Sequence, residues 1–209
     1  MTITDRELKE IKREFETFSK KYLGYLGDDH RRVALVGLCE DFTTKLVTCP
    51  ASSKLDRVGA FPGGLIWHSN NVCRTMIELD KVYDTKLTMD EIVTVALFHD
   101  LGKIGNEQED YFVPQTSEWH ANKLGAVFET NKTFNNTQVG PRSIWWLNNY
   151  GVKLSEREIN AILAVSNIKE VYGSDVYNAD PLTMILLQAV QSQVVLNKGY
   201  TNILLENRV

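Results

Sequence analysis

A chain of 209 residues is long enough for one sizeable core, and a single domain spanning 1–209 is the expectation. Its 43% hydrophobic and 24% charged residues argue against a disordered or membrane-spanning protein, and a net charge of −4 argues against a broad basic surface for nucleic-acid backbones. Three cysteines, Cys39, Cys49 and Cys73, are odd in number and lack CxxC spacing, which speaks against a disulfide framework or a zinc knuckle.

The predicted elements are helical almost throughout. Leu8, Ile11, Phe15, Phe18 and Tyr22 recur at steps of three and four, the stripe of an amphipathic helix within residues 1–25. Packing on the body of the domain is its ordinary use, and a homodimer seam is the alternative. A second helix is expected from Asp29 to Thr48, since Pro50 forbids its extension. Residues 51–64, with Pro62-Gly63-Gly64, read as a loop leading into a helix whose inward face carries His68, Val72, Met76 and Leu79.

Thr88-Met-Asp-Glu91 has capping-box spacing. The helix it opens sets Ile92, Val95, Ala96 and His99 on one face and is expected to stop at Gly102. Ser117 is predicted to cap a helix through Glu129, Pro141 to open one ending near Tyr150, and Ser155-Glu-Arg-Glu158 to box one ending near Ser166. Pro181 opens the last helix, to about Asn197. The glutamines Gln188, Gln191 and Gln193 keep that apolar stretch from being a membrane span. The class expected is all-α, about seven helices around one core. Met1–Glu7 lacks the apolar run of a secretion signal, so the cytoplasm is the expected compartment.

His99 and Asp100 are adjacent at the end of an apolar helical run, and His68 lies on the inward face of the preceding helix. Two imidazoles and a carboxylate suit one divalent ion, of the Mn, Mg, Fe, Co, Ni or Zn kind. The plainer alternative is a pair of core histidines and an aspartate that caps the next turn. Lys103, about one turn past Asp100, is placed either to neutralise a substrate phosphate or to face the helix C-terminal dipole. Arg142, beside Pro141 at a helix start, is a candidate phosphate fork. Trp119 and His120 are candidates to stack on a base or bond a phosphate, against packing and capping roles. Trp145 and Trp146 cannot share a helix face, so one is expected in the core and the other at the surface. His30, beside Asp28-Asp29, reads as a surface residue.

Leu65-Ile-Trp-His68 followed by Leu97-Phe-His99-Asp100-Leu-Gly-Lys103 resembles the HD-domain superfamily of metal-dependent phosphohydrolases, which is all-helical and spelled H…HD…D. Tyr111-Phe-Val-Pro114 with Trp119-His120, Pro141-Arg-Ser143, and Tyr150–Glu156 resemble a subgroup common in bacteriophages, the likeness covering about residues 50–197. It implies an HD-type domain in a host cytoplasm, with His68, His99 and Asp100 as metal ligands and Asp100 and Lys103 as catalytic groups. Lys103, Trp119, His120 and Arg142 would hold a small phosphate ester or nucleotide. The chain departs from the pattern at the last aspartate. The best register sets Gln191 there, and the Ser166-Asn167-Ile168 stretch offers no further ligand. Two functions therefore remain, a hydrolase of weakened activity and a catalytically inactive domain that holds a nucleotide or a protein.

Overall fold

The computed structural model describes residues 4–134, 138–166 and 180–197. Its first helix, α1 (Asp5–Glu16), opens at a capping box: Thr4 Oγ1 accepts from Glu7 N, and the Glu7 carboxylate accepts from Thr4 N at 2.8 Å. A π-helical turn, Thr17–Tyr22, continues it and buries Phe18 and Tyr22. The predicted helix 29–48 is two helices, α2 (Asp29–Asp41) and α3 (Thr43–Thr48). Phe42 leaves helical geometry between them (φ −101°, ψ 18°), and its ring meets Trp146 edge-on at 4.6 Å.

Two long central helices follow, α4 (Gly64–Tyr83) and α5 (Met89–Phe98). The Thr88–Glu91 capping box opens α5 as predicted. Its end differs from expectation: α5 stops at Phe98, and a 3₁₀ turn, Leu101–Ile104, runs through Gly102 to Gly105. Gly102 is required for packing rather than for stopping the helix. A Cβ there would lie 2.2 Å from the carbonyl oxygen of Val139.

The predicted helix 117–129 is shorter, α6 (Glu118–Leu124), with Ser117 as its cap. Gly125 turns the chain at φ +60°. The chain then returns as a two-stranded antiparallel hairpin, β1 (Phe112–Pro114) against β2 (Phe128–Thr130), with Phe112 opposite Thr130. A three-residue strand carries too little alternation to stand out in a helical sequence. The remaining helices are α7 (Val139–Asn149), α8 (Glu156–Ser166) and α9 (Pro181–Leu196). Nine α-helices thus occur among the described residues, and the chain is all-α in class. The count exceeds seven chiefly because residues 29–48 break.

α4 packs against α5 and α9, α8 lies along α9, and α7 closes over the 3₁₀ turn. α1 lies on α3 and α4, so Ile11 and Phe15 of its stripe are used within the chain while Leu8 stays exposed. Trp146 is buried and Trp145 exposed, as their neighbouring positions demanded. Arg31 donates to the Glu158 carboxylate at 2.5 Å, to Thr94 Oγ1 and to the Lys153 carbonyl, tying α2 to α5 and α8. Glu158 is therefore both half of a capping box and one side of a nearly dry ion pair. All three cysteines are buried thiols. No helix among the described residues is long and apolar enough to cross a membrane.

Candidate metal centre

Backbone fit fixes where α4 begins. A Cβ on Gly64 would lie 2.0 Å from the Gly59 carbonyl oxygen, so the 51–63 loop can touch the helix start only because both residues are glycine. His68 follows about one turn later and is buried. His99 is the C-cap of α5 and Asp100 starts the 3₁₀ turn, so both project from the junction of those elements.

The His99 ring has one protonation pattern that fits its contacts. Its Nδ1 lies 3.0 Å from the Ala96 carbonyl, an acceptor, so Nδ1 carries the proton and donates. Nε2 is then left with a lone pair, buried and without a hydrogen-bond partner. The Nδ1 of His68 is likewise buried and unpartnered. Orphaned polar atoms of this kind are rare in a folded core and call for an explanation. The two rings are 5.7 Å apart between centroids, and Asp100 Oδ2 is 3.6 Å from His99 Nε2. One ligand atom from each of His68, His99 and Asp100 falls within 4.8 Å of the others. Bonds of metal-ligand length space their donors about 3–4 Å apart. The three side chains can therefore hold one ion, and they are the one such group among the described residues.

Protonation states suit the task. Burial, with a smaller contribution from His99, pushes His68 down to about 3, and burial also lowers His99, so both imidazoles are neutral ligands at neutral pH. For Asp100, burial opposes the charge. The Lys103 ammonium beside it, which also donates a hydrogen bond to it, outweighs that, and the carboxyl stays well below its usual range. Lys103 Nζ donates to Asp100 Oδ2 at 2.5 Å and to the Ala51 carbonyl at 2.8 Å.

Beside the centre lies a cavity of about 530 Å³, bordered by His68, Asp100 and Lys103. Ser52, Ser53 and Arg57 line its loop side, Tyr111, Phe112 and Thr130 its hairpin side, and Val165, Val190 and Val194 the wall from α8 and α9. No family model, curated protein or solved structure matches this chain. Its chemistry has to be read from these residues themselves.

Of the predicted site residues, His68, His99, Asp100 and Lys103 come together. Arg142 does not face the cavity. Its guanidinium donates to the Gly102 carbonyl at 2.5 Å and stacks over the rings of Phe134 (4.5 Å) and Tyr111 (5.1 Å). It braces the turn carrying Lys103 and is not among the residues lining the cavity. Trp119, 59% exposed, and His120 lie on α6 outside the cavity lining, and the His120 ring is turned back onto the capping Ser117 hydroxyl at 2.8 Å. On α9 the residues bordering the cavity are Val190 and Val194, and Gln191 is not among the lining residues. The Ser166 position is described, but Asn167 and Ile168 lie outside the described residues.

Two contributors were missed in the sequence. Ser52, Ser53 and Arg57 sit on the loop running into the His68 helix, and the spacing of Gly59 and Gly63-Gly64 was the available signal that this loop hugs the helix. Ser143, fully buried, accepts from Gly102 N at 2.8 Å and reaches the His99 carbonyl at 2.9 Å. A lone serine inside a helix announces nothing of the kind.

Proposed function

We propose that the chain is a metal-dependent hydrolase of small phosphate esters, with a nucleotide as the best candidate substrate. One observation carries the reading: two buried histidines, each with a ring nitrogen lacking a partner, bring ligand atoms within 4.8 Å of each other and of a carboxylate, at the edge of a cavity also lined by Lys103, Arg57 and two serines. A donor set of two imidazoles and one carboxylate suits Mn, Fe, Co, Ni or Zn better than Mg, which prefers oxygen throughout. Such an ion, when bound, polarises a phosphoryl oxygen and makes water more acidic. The chain's own groups do the rest. Asp100 stays ionised and accepts a hydrogen bond from the attacking water. The Lys103 ammonium donates to a phosphoryl oxygen, and the remainder of the ester lies against the loop of Ser52, Ser53 and Arg57 that lines the cavity. Phe112 and Tyr111 give one side of the cavity an aromatic lining.

A second reading, a nucleotide-holding domain without turnover, draws on the valine wall. Where the resemblance implies a further aspartate the chain has Gln191, and α9 lines the cavity with Val190 and Val194, so among the described residues the ion has a single anionic ligand. One experiment separates the two. Phosphate release from a panel of nucleoside phosphates is followed with Mn²⁺ or Co²⁺, in the wild type and in Asp100→Asn and His99→Ala. Turnover in the wild type that falls at least about a hundredfold in both variants supports the enzyme. Thermal stabilisation by a nucleotide without any phosphate release supports the binding domain and refutes the hydrolase.

A further inference from the structure

Lys103 occupies an unusual place for a residue expected to greet a substrate. It borders the cavity, but its ammonium is already engaged, resting 2.5 Å from the same Asp100 oxygen that faces His99 Nε2 at 3.6 Å. That oxygen belongs to the one carboxylate in the ligand group and is the one set 3.6 Å from His99 Nε2. A divalent ion seated beside Nε2 meets it there, and an ammonium already bonded to it competes for its charge. The second bond of Lys103 runs to the neutral carbonyl of Ala51, on the loop that also supplies Ser52 and Ser53 to the cavity. A lysine is a compact charge on a flexible stem, and it can leave the carboxylate while keeping the carbonyl.

Charge balance points the same way. Before an ion arrives, Asp100 and Lys103 cancel in mostly buried surroundings, with two neutral imidazoles beside them. Adding a divalent ion leaves two uncompensated positive charges, because no second carboxylate joins the group among the described residues. An incoming phosphate dianion restores neutrality and gives the displaced ammonium a new partner. We propose that Lys103 is the resident counter-ion of this centre: it holds Asp100 until a divalent ion takes that oxygen, then turns to an anion in the cavity, so that ion and phosphate bind cooperatively. The proposal rests on the metal-centre reading above and adds to it an order of events and a reason for the lysine.

The test is Mn²⁺ binding, read from the resonance of the free ion, with and without inorganic phosphate. Wild type, Lys103→Met and Lys103→Gln are compared, with circular dichroism to confirm folding. The wild type is expected to bind Mn²⁺ weakly and about tenfold or more tightly once phosphate is present. By linkage, Mn²⁺ must tighten phosphate by the same factor. Both lysine variants are expected to bind Mn²⁺ alone about tenfold more tightly than the wild type, with phosphate adding less than about twofold. Equal Mn²⁺ affinity in all three proteins, or weaker binding in the variants, overturns the counter-ion role and leaves the metal centre standing. Absence of Mn²⁺ binding in every protein overturns both. The phosphate arm on the wild type needs no substitution, so a variant that fails to fold still leaves a deciding result.

Discussion

Replacing Ser143 by alanine removes one hydroxyl from the point where α7 meets the end of α5. That hydroxyl is fully buried, accepts the Gly102 N–H at 2.8 Å, and lies within donating distance of the carbonyls of His99 (2.9 Å) and Val139 (3.0 Å). The methyl of alanine fits the space but accepts nothing, and Gly102 N–H is stranded in a dry site. Leaving one buried donor unsatisfied costs about 1–3 kcal/mol, so about 2 kcal/mol is expected here. For a chain of this size that corresponds to a fall in Tm of about 4–8 °C. Urea unfolding followed by far-ultraviolet circular dichroism gives the free energy, with an unchanged m-value showing that compactness is preserved. Ser192→Ala is the control, because its hydroxyl only bonds back to the Gln188 carbonyl within α9 and its loss strands no donor. Should Ser143→Ala cost less than about 0.5 kcal/mol, no more than a surface change, the assignment of this hydroxyl as the tie beneath His99 and Asp100 is wrong.

Two further outcomes follow from the same region. Gly102→Ala drives a methyl to 2.2 Å from the Val139 carbonyl oxygen and is expected to cost more than Ser143→Ala, about 3 kcal/mol or above, whereas Gly37→Ala in α2 meets nothing within 4 Å and is expected to stabilise by about 0.4–1 kcal/mol; thermal melts of both variants decide. Acid should expose the buried histidines. The unfolded chain takes up a proton at His68 near pH 6.5 while the folded chain resists until about 3, so the His68 contribution is intact above pH 6.5 and is lost as the pH falls toward 3. Between pH 6 and 5 the wild type is expected to lose about 1 kcal/mol more stability than His68→Asn, measured by urea titration at each pH; parallel curves contradict a neutral buried His68.

The helices were legible because their signals are local. Thr88 and Glu91 state a capping box within four residues, and His68 with Val72 and Met76 states an inward face within three turns. The meeting of His68 with His99 was legible for the same reason, each lying on an apolar face of a long helix. What stayed hidden depends on partners far along the chain. The contacts of Arg142 with the rings of Tyr111 and Phe134 and with the Gly102 carbonyl join residues far apart in the chain and have no local signal. Glu158 looked like half of a capping box, which it is, but its pairing with Arg31 joins residues 127 apart in the chain and has no sequence signature. Val190 and Val194 are the α9 residues at the cavity, and Gln191 lies about 100° round the helix from Val190, a difference that only the packed neighbours of α9 decide.

The close approach of Gly59 to Gly64 has a consequence for how such a protein changes its ligand over time. At that seam backbone meets backbone, so the spacing between the His68 helix and the serine-bearing loop is set by peptide dimensions and no exchange of side chains can widen it. The opposite side of the chamber is built from Val165, Val190 and Val194, whose bulk and polarity are free to vary. Half of the enclosure is thus a rigid template, and any tailoring to a larger or more polar guest has to be written on the other half.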